Sequence, residues 1–179
     1  MSFITKIKKN KKLNEILEVT PSVNFDERGE IFTLFDRLLS KKILPKNRTF
    51  NHFKITKRKK NCLVGIHFDF KTWKLFGCIN GKIFHTVSCF KKKNKNYLKS
   101  SNYILSDKKI KFILIPPGYG NSFYCLQDST ILYALSYQGS YNDFNSQKTI
   151  AWNDKSLSIN WPCKKPYISL RDKNGVYLR

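Results

Sequence analysis

From Leu63 to Tyr137 the chain is a succession of short apolar or alternating runs, each closed by turn residues. The runs are Leu63 to Phe70, Trp73 to Ile79, Lys82 to Phe90, Tyr103 to Leu105, Lys111 to Ile115, Ser122 to Leu126 and Thr130 to Tyr137. They are rich in Ile, Phe, Tyr, Leu and Val, the residues that fit a pleated, half-buried surface, and they predict strands. Asn80-Gly81 joins two of them; both residues accept positive φ, so the pair predicts a two-residue hairpin. Pro116-Pro117-Gly118 ends another run with a break. One helix is predicted from Leu34 to about Leu44, with Leu34, Leu38 and Leu39 on one face and Pro45 as the stop. Lys91 to Ser101 reads as a solvated loop, and the residues after Asp172 are expected to fray. There is no internal repeat. The expectation is an all-β sandwich or barrel with one or two short helices.

A length of 179 residues fits one domain spanning 1–179, with the basic segment 1–12 flexible. Hydrophobic content of 41% and aromatic content of 15% exclude a disordered composition. No apolar run is long enough to span a membrane, and no signal-peptide stretch follows the basic start, so no membrane partner and a cytoplasmic location are expected. Five scattered cysteines without a Cys-x-x-Cys pair read as reduced, buried thiols. The formal net charge of +22 attracts polyanions in general. Its carriers are mostly lysines spread along the whole chain, so solvated surface explains them better than a nucleic-acid face, and no helix-turn-helix, zinc-finger or aromatic RNA-binding signature accompanies them.

Four residues have the chemistry to move a proton beside a ketone. His67 lies in Leu63-Val64-Gly65-Ile66-His67-Phe68, Lys74 in Trp73-Lys74-Leu75, Tyr133 in Ile131-Leu132-Tyr133, and Asp172 in Ile168-Ser169-Leu170-Arg171-Asp172. An imidazole titrates near neutral pH, a carboxylate fixes its tautomer, an ammonium offsets an enolate and a phenol returns a proton. Strand parity sets Gly65, His67 and Asp69 on one face and Val64, Ile66 and Phe68 on the other. Each residue alone has an ordinary structural explanation. His52 and His85 are read as packing residues, and without a His-x-His no metal is expected.

The ordered motifs carry more weight. Phe25-Asp26-Glu27-Arg28-Gly29, Gly65-Ile66-His67-Phe68, Trp73-Lys74-Leu75, Ile115-Pro116-Pro117-Gly118, Trp152-Asn153-Asp154, Asn160-Trp161-Pro162 and Ile168-Ser169-Leu170-Arg171-Asp172 together resemble the dTDP-4-dehydrorhamnose 3,5-epimerase family of cupin-fold enzymes, over residues 19 to 172. Gly120-Asn121-Ser122 and Gly139-Ser140-Tyr141 are similar to the branch acting on GDP-linked 4-keto-heptoses. The resemblance implies a cupin-type jelly-roll barrel, no cofactor and no metal. It further implies a homodimer with exchange of an N-terminal strand and a nucleotide-diphosphate 4-keto sugar as substrate. It makes His67 the base, Asp172 its partner, Lys74 the neighbour of the keto oxygen and Tyr133 the acid. It assigns substrate contacts to Arg28, which reaches a neighbouring subunit's site, and to Asn121, Asp69 and Lys54. The chain departs from the family pattern at Val64 (arginine), Asp69 (glutamine), Asn121 (histidine) and Gly139 (tyrosine). Two other readings stand beside an epimerase: a catalytically impaired sugar-nucleotide-binding homologue, and, ranked last, a basic nucleic-acid-binding protein.

Overall fold

The computed structural model describes residues 5–178. In chain order the strands are β1 (Lys6–Lys9), β2 (Leu17–Thr20), β3 (Val23–Asp26), β4 (Gly29–Phe32), β5 (His52–Arg58), β6 (Leu63–Phe68), β7 (Trp73–Asn80), β8 (Lys82–Cys89), β9 (Ser100–Ser106), β10 (Phe112–Ile115), β11 (Tyr119–Cys125), β12 (Ser129–Ser136) and β13 (Lys148–Thr149). The helices are short: α1 (Arg37–Ile43), and the single turns α2 (Asp143–Ser146) and α3 (Leu170–Lys173).

The strands form two facing antiparallel sheets, β1-β2-β10-β7-β12-β5 and β13-β6-β11-β8-β9, with β3-β4 as a separate hairpin. Between the sheets lies a core in which Phe76, Ile83, Val87, Tyr119, Phe123 and Ile131 are almost fully buried. Fully burying one such side chain is worth roughly 1.5–3 kcal/mol. A second cluster, Leu39, Ile43, Leu75, Phe112 and Leu114 among it, packs α1 against the outer face of the six-stranded sheet. Helix α1 begins three residues later than the leucine pattern predicts, because Asp36 caps it by accepting the Leu39 N–H at 2.6 Å.

All the strands predicted from Leu63 to Tyr137 are present, within a few residues at their ends. Asn80-Gly81 forms a turn but not the predicted hairpin: β7 pairs with β10 and β12, and β8 with β9 and β11, so the turn carries the chain from one sheet to the other. Gly81 has φ +83°, and a Cβ there would stand 2.2 Å from the Asp128 carbonyl oxygen. The N-terminal expectation was wrong for residues 5–12, where β1 pairs with β2; Met1 to Ile4 lie outside the described residues. The C-terminal expectation also fails. Val176 exchanges backbone hydrogen bonds with Thr149 and Ala151, and the Leu178 N–H donates to Asp154 at 2.6 Å. These bonds hold the segment that carries Asp172 against β13.

Candidate active site

A pocket of about 300 Å³ opens between the sheets where edge strand β5 faces β6. That volume is at the lower end of small-molecule sites, roughly 300–1,000 Å³. His67 enters it from β6, Asn121 and Phe123 from β11, Lys74 from β7, Tyr133 and Leu135 from β12, and Lys54, Thr56 and Arg58 from β5. Tyr141, Gln147 and Arg171 close one side. Residues more than a hundred positions apart therefore share one space.

His67 Nε2 lies 2.6 Å from Asp172 Oδ1. The His67 side chain is 16% exposed and that of Asp172 only 2%. The other carboxylate oxygen, Oδ2, accepts the Ser169 hydroxyl at 2.9 Å, and Ser169 in turn caps α3 by accepting the Asp172 N–H. A carboxylate so shielded and bonded holds the imidazole with its proton on Nε2. Nδ1 keeps the lone pair of a base.

Lys74 is almost completely buried, with its ammonium 3.5 Å from Asp69 Oδ2. Asp69 Oδ1 accepts the Lys71 and Thr72 N–H groups at 2.8 and 2.6 Å, fixing the turn after β6. Asp69 thus sits behind Lys74 and lines an adjoining cavity of about 350 Å³, not the His67 pocket to which it was assigned. Tyr133 packs edge-on against Phe76 at 5.0 Å, and the Lys54 ammonium lies 5.4 Å from its ring centroid. Asn121 is in the pocket, its Oδ1 2.8 Å from His85 Nε2. Arg28 is not: it stands exposed at the tip of the β3–β4 hairpin, paired with Asp26.

The parity expectation for β6 holds for His67, which points inward, and for Ile66 and Phe68, which pack outside. It fails at Val64, which shares the pocket with His67. The cause is a bulge: Val64 pairs with Phe123 and His67 with Asn121, so β6 carries one more residue than β11 over this stretch. Gly65 occupies the bulge with φ +112°, and a Cβ there would come within 2.7 Å of the Asn121 carbonyl oxygen. Only glycine fits.

Sequence reasoning missed Thr56, Arg58, Gln147, Tyr141 and Arg171 as lining residues. For β5 the signal was present. His52, Lys54, Thr56 and Arg58 alternate with Phe53 and Ile55, a strand pattern with its polar face inward and its apolar residues 53% and 63% exposed. Four cations, Lys54, Arg58, Lys74 and Arg171, line the pocket, and among the described residues no carboxylate does. Such a cavity favours an anionic guest. Also among the described residues, no group of three His, Cys, Asp or Glu side chains is placed to hold a metal, and no helix is long and apolar enough to cross a membrane.

Two facing antiparallel sheets around a polar cavity at their open edge define a cupin-type jelly roll. The fold superposes on the dTDP-6-deoxy-D-glucose-3,5-epimerase of Legionella pneumophila, solved with dTDP-4-keto-L-rhamnose, with a TM-score of 0.86 at 21% identity, covering 97% of this chain and 93% of that one. In sequence the chain is 26% identical over 170 residues to the dTDP-4-dehydrorhamnose 3,5-epimerase of Shigella flexneri (92% of this chain, 91% of that protein). It is 28% identical over 163 residues to that of Salmonella typhimurium (88% and 87%). Residues 10–179 match the family model of dTDP-4-dehydrorhamnose 3,5-epimerase, and the chain belongs to that family of isomerases.

Proposed function

We propose that this protein epimerises a nucleotide-linked 4-keto sugar at carbon 3, carbon 5 or both. The observation that carries the reading is the 2.6 Å contact of His67 with a buried Asp172 beside a cationic pocket that also contains Lys74 and Tyr133. Hydrogens on the carbons flanking the ketone are weakly acidic. His67 Nδ1 takes one, and Asp172 stabilises the imidazolium that forms. Lys74, shielded from water, offsets the charge that builds on the enolate oxygen, a contribution of about 2.7–4 kcal/mol for stabilisers of this kind. Tyr133 returns a proton from the other face, which inverts the centre. The diphosphate is drawn by Lys54, Arg58 and Arg171, and the stacked rings of Tyr137 and Tyr141, 4.7 Å apart, offer a flat surface to the base.

Two copies pair in this reading. Among the described residues, strand β5 is paired on one side only, and its outward Phe53 and Ile55 are exposed together with Phe25 and Ile31 of the β3–β4 hairpin. Burying these residues against a second copy brings Arg28 of the hairpin to the partner's pocket.

The test is solvent exchange. GDP- and dTDP-linked 4-keto hexoses and heptoses are incubated with the protein in deuterated water and read by mass spectrometry. Deuterium gain at carbon 3 or 5, lost in His67→Ala, is expected. Thermal stabilisation by the nucleotide sugars without any exchange would instead identify an impaired binding homologue, as the family departures at Val64, Asn121 and Gly139 suggest.

A further inference from the structure

The barrel contains a second histidine that the proposed reaction leaves idle. His85 is 0% exposed, its ring stacked with Phe76 at 4.3 Å and with Tyr103 at 5.7 Å. Among the described residues, its side-chain hydrogen-bond partner is Asn121 on the neighbouring strand β11, at 2.8 Å, and Asn121 is a lining residue of the pocket, directly opposite His67 in the β6–β11 pairing. We infer that His85 is a positioning residue, locking the Asn121 amide so that its Nδ2–H group faces the pocket beside His67 and donates to the keto oxygen as it becomes an enolate.

The orientation follows from counting donors. Among the described residues, His85 Nδ1 is buried without a hydrogen-bond partner. A neutral imidazole has one N–H and one lone pair. If Nε2 carries the hydrogen, it donates to Asn121 Oδ1 and the unmatched atom is a lone pair. If the amide is turned over, Nε2 must accept, Nδ1 must carry the hydrogen, and a buried N–H is orphaned. Orphaned buried N–H groups are the rarer and costlier defect. The first arrangement therefore prevails and leaves Nδ2, with both its hydrogens, for the substrate side. Burial also holds His85 well below the usual imidazole range, at about 3, so it stays neutral. The lock thus adds no charge beside the base.

The target of this donor rests on the epimerase reading; the lock does not. Two measurements on the full chain separate them. Long-range ¹⁵N–¹H NMR of histidine-labelled protein should show His85 as the Nε2–H tautomer, and an Nδ1–H tautomer overturns the positioning role by itself. In exchange kinetics, Asn121→Ala should lower kcat by about 10²-fold, as loss of an oxyanion donor does. His85→Phe keeps the ring stacking but cannot donate, and should lower kcat about tenfold with KM within about twofold, the mark of an interaction made only in the transition state. His85→Gln, which keeps one N–H donor, should recover most of that loss. Added to Asn121→Ala, His85→Phe should change nothing more. Equal losses in the Phe and Gln variants, or a loss confined to KM, overturn the inference. A wild-type chain that exchanges no proton sinks the epimerase reading and the donor's target with it.

Discussion

Two histidines on neighbouring parts of one barrel differ in almost everything except residue type. His67 reaches a water-accessible pocket and meets a carboxylate at 2.6 Å; His85 is sealed among aromatic rings and meets an amide at 2.8 Å. In the proposed reaction, the carboxylate stabilises the imidazolium that His67 becomes. An amide in an apolar cage penalises it, so His85 is equipped to stay neutral and hold a geometry. Location and partner, not the side chain itself, divide the proposed base from the proposed strut.

The sharpest way to break the comparison is to remove the proposed base. His67→Ala is expected to lower exchange by about 10³-fold or more, since general-base terms run to about 10²–10⁴. Asp172→Asn keeps the shape but turns the partner into an amide like that of His85; a loss of about 10²-fold is expected, again by exchange kinetics, with a thermal melt to show that the fold is retained. Gly65→Ala strains the bulge that aims His67, and about 2–3 kcal/mol of stability should be lost in urea titrations, in line with strained backbone and overpacking.

Acid discriminates between the two histidines without a change at the site. The folded His85 pKa is depressed to about 3 from 6.5. The unfolded chain therefore takes up a proton that the folded one refuses, and stability is full above about pH 6.5 and falls as pH drops towards 3. Between pH 7 and 5 the loss attributable to His85 is about 2 kcal/mol, read by urea titration at both values, and His85→Phe should abolish that component. At the small end, Lys59 and Asp128 form an exposed ion pair at 2.9 Å. Lys59→Ala should leave both exchange and the melting temperature unchanged within error, because surface pairs compete with water and salt.

Much of the strand framework was legible, because a half-buried strand must alternate or run apolar to face a core. The strands from Leu63 to Tyr137 obey that rule. Strands β2 to β4 are four residues each, too short for a periodicity to emerge. Strand β5 was missed for another reason: its apolar residues Phe53 and Ile55 point outward while His52, Lys54 and Thr56 point inward, the reverse of the usual rule. The motif residues His67, Lys74, Tyr133 and Asn121 do share one pocket with Asp172 behind the first, whereas Asp69 and Arg28 lie elsewhere in the chain. Arg58 and Arg171 drew no attention among 34 basic residues, since charge by itself does not distinguish a cation aimed into a cavity from one in water.

The local rules are written in the chain: alternation makes strands, Asn80-Gly81 makes a turn, and Asp36 starts the helix, because each acts through residues close in sequence; that the turn joins two sheets and not two paired strands was decided by the fold. Which polar groups leave water together was decided only by the folded barrel. The bulge at Gly65 swung Val64 into the pocket, the tail docked on β13 to bring Asp172 to His67, and ring packing shut His85 away. Burial and proximity are properties of distant segments meeting, and they set what an imidazole does.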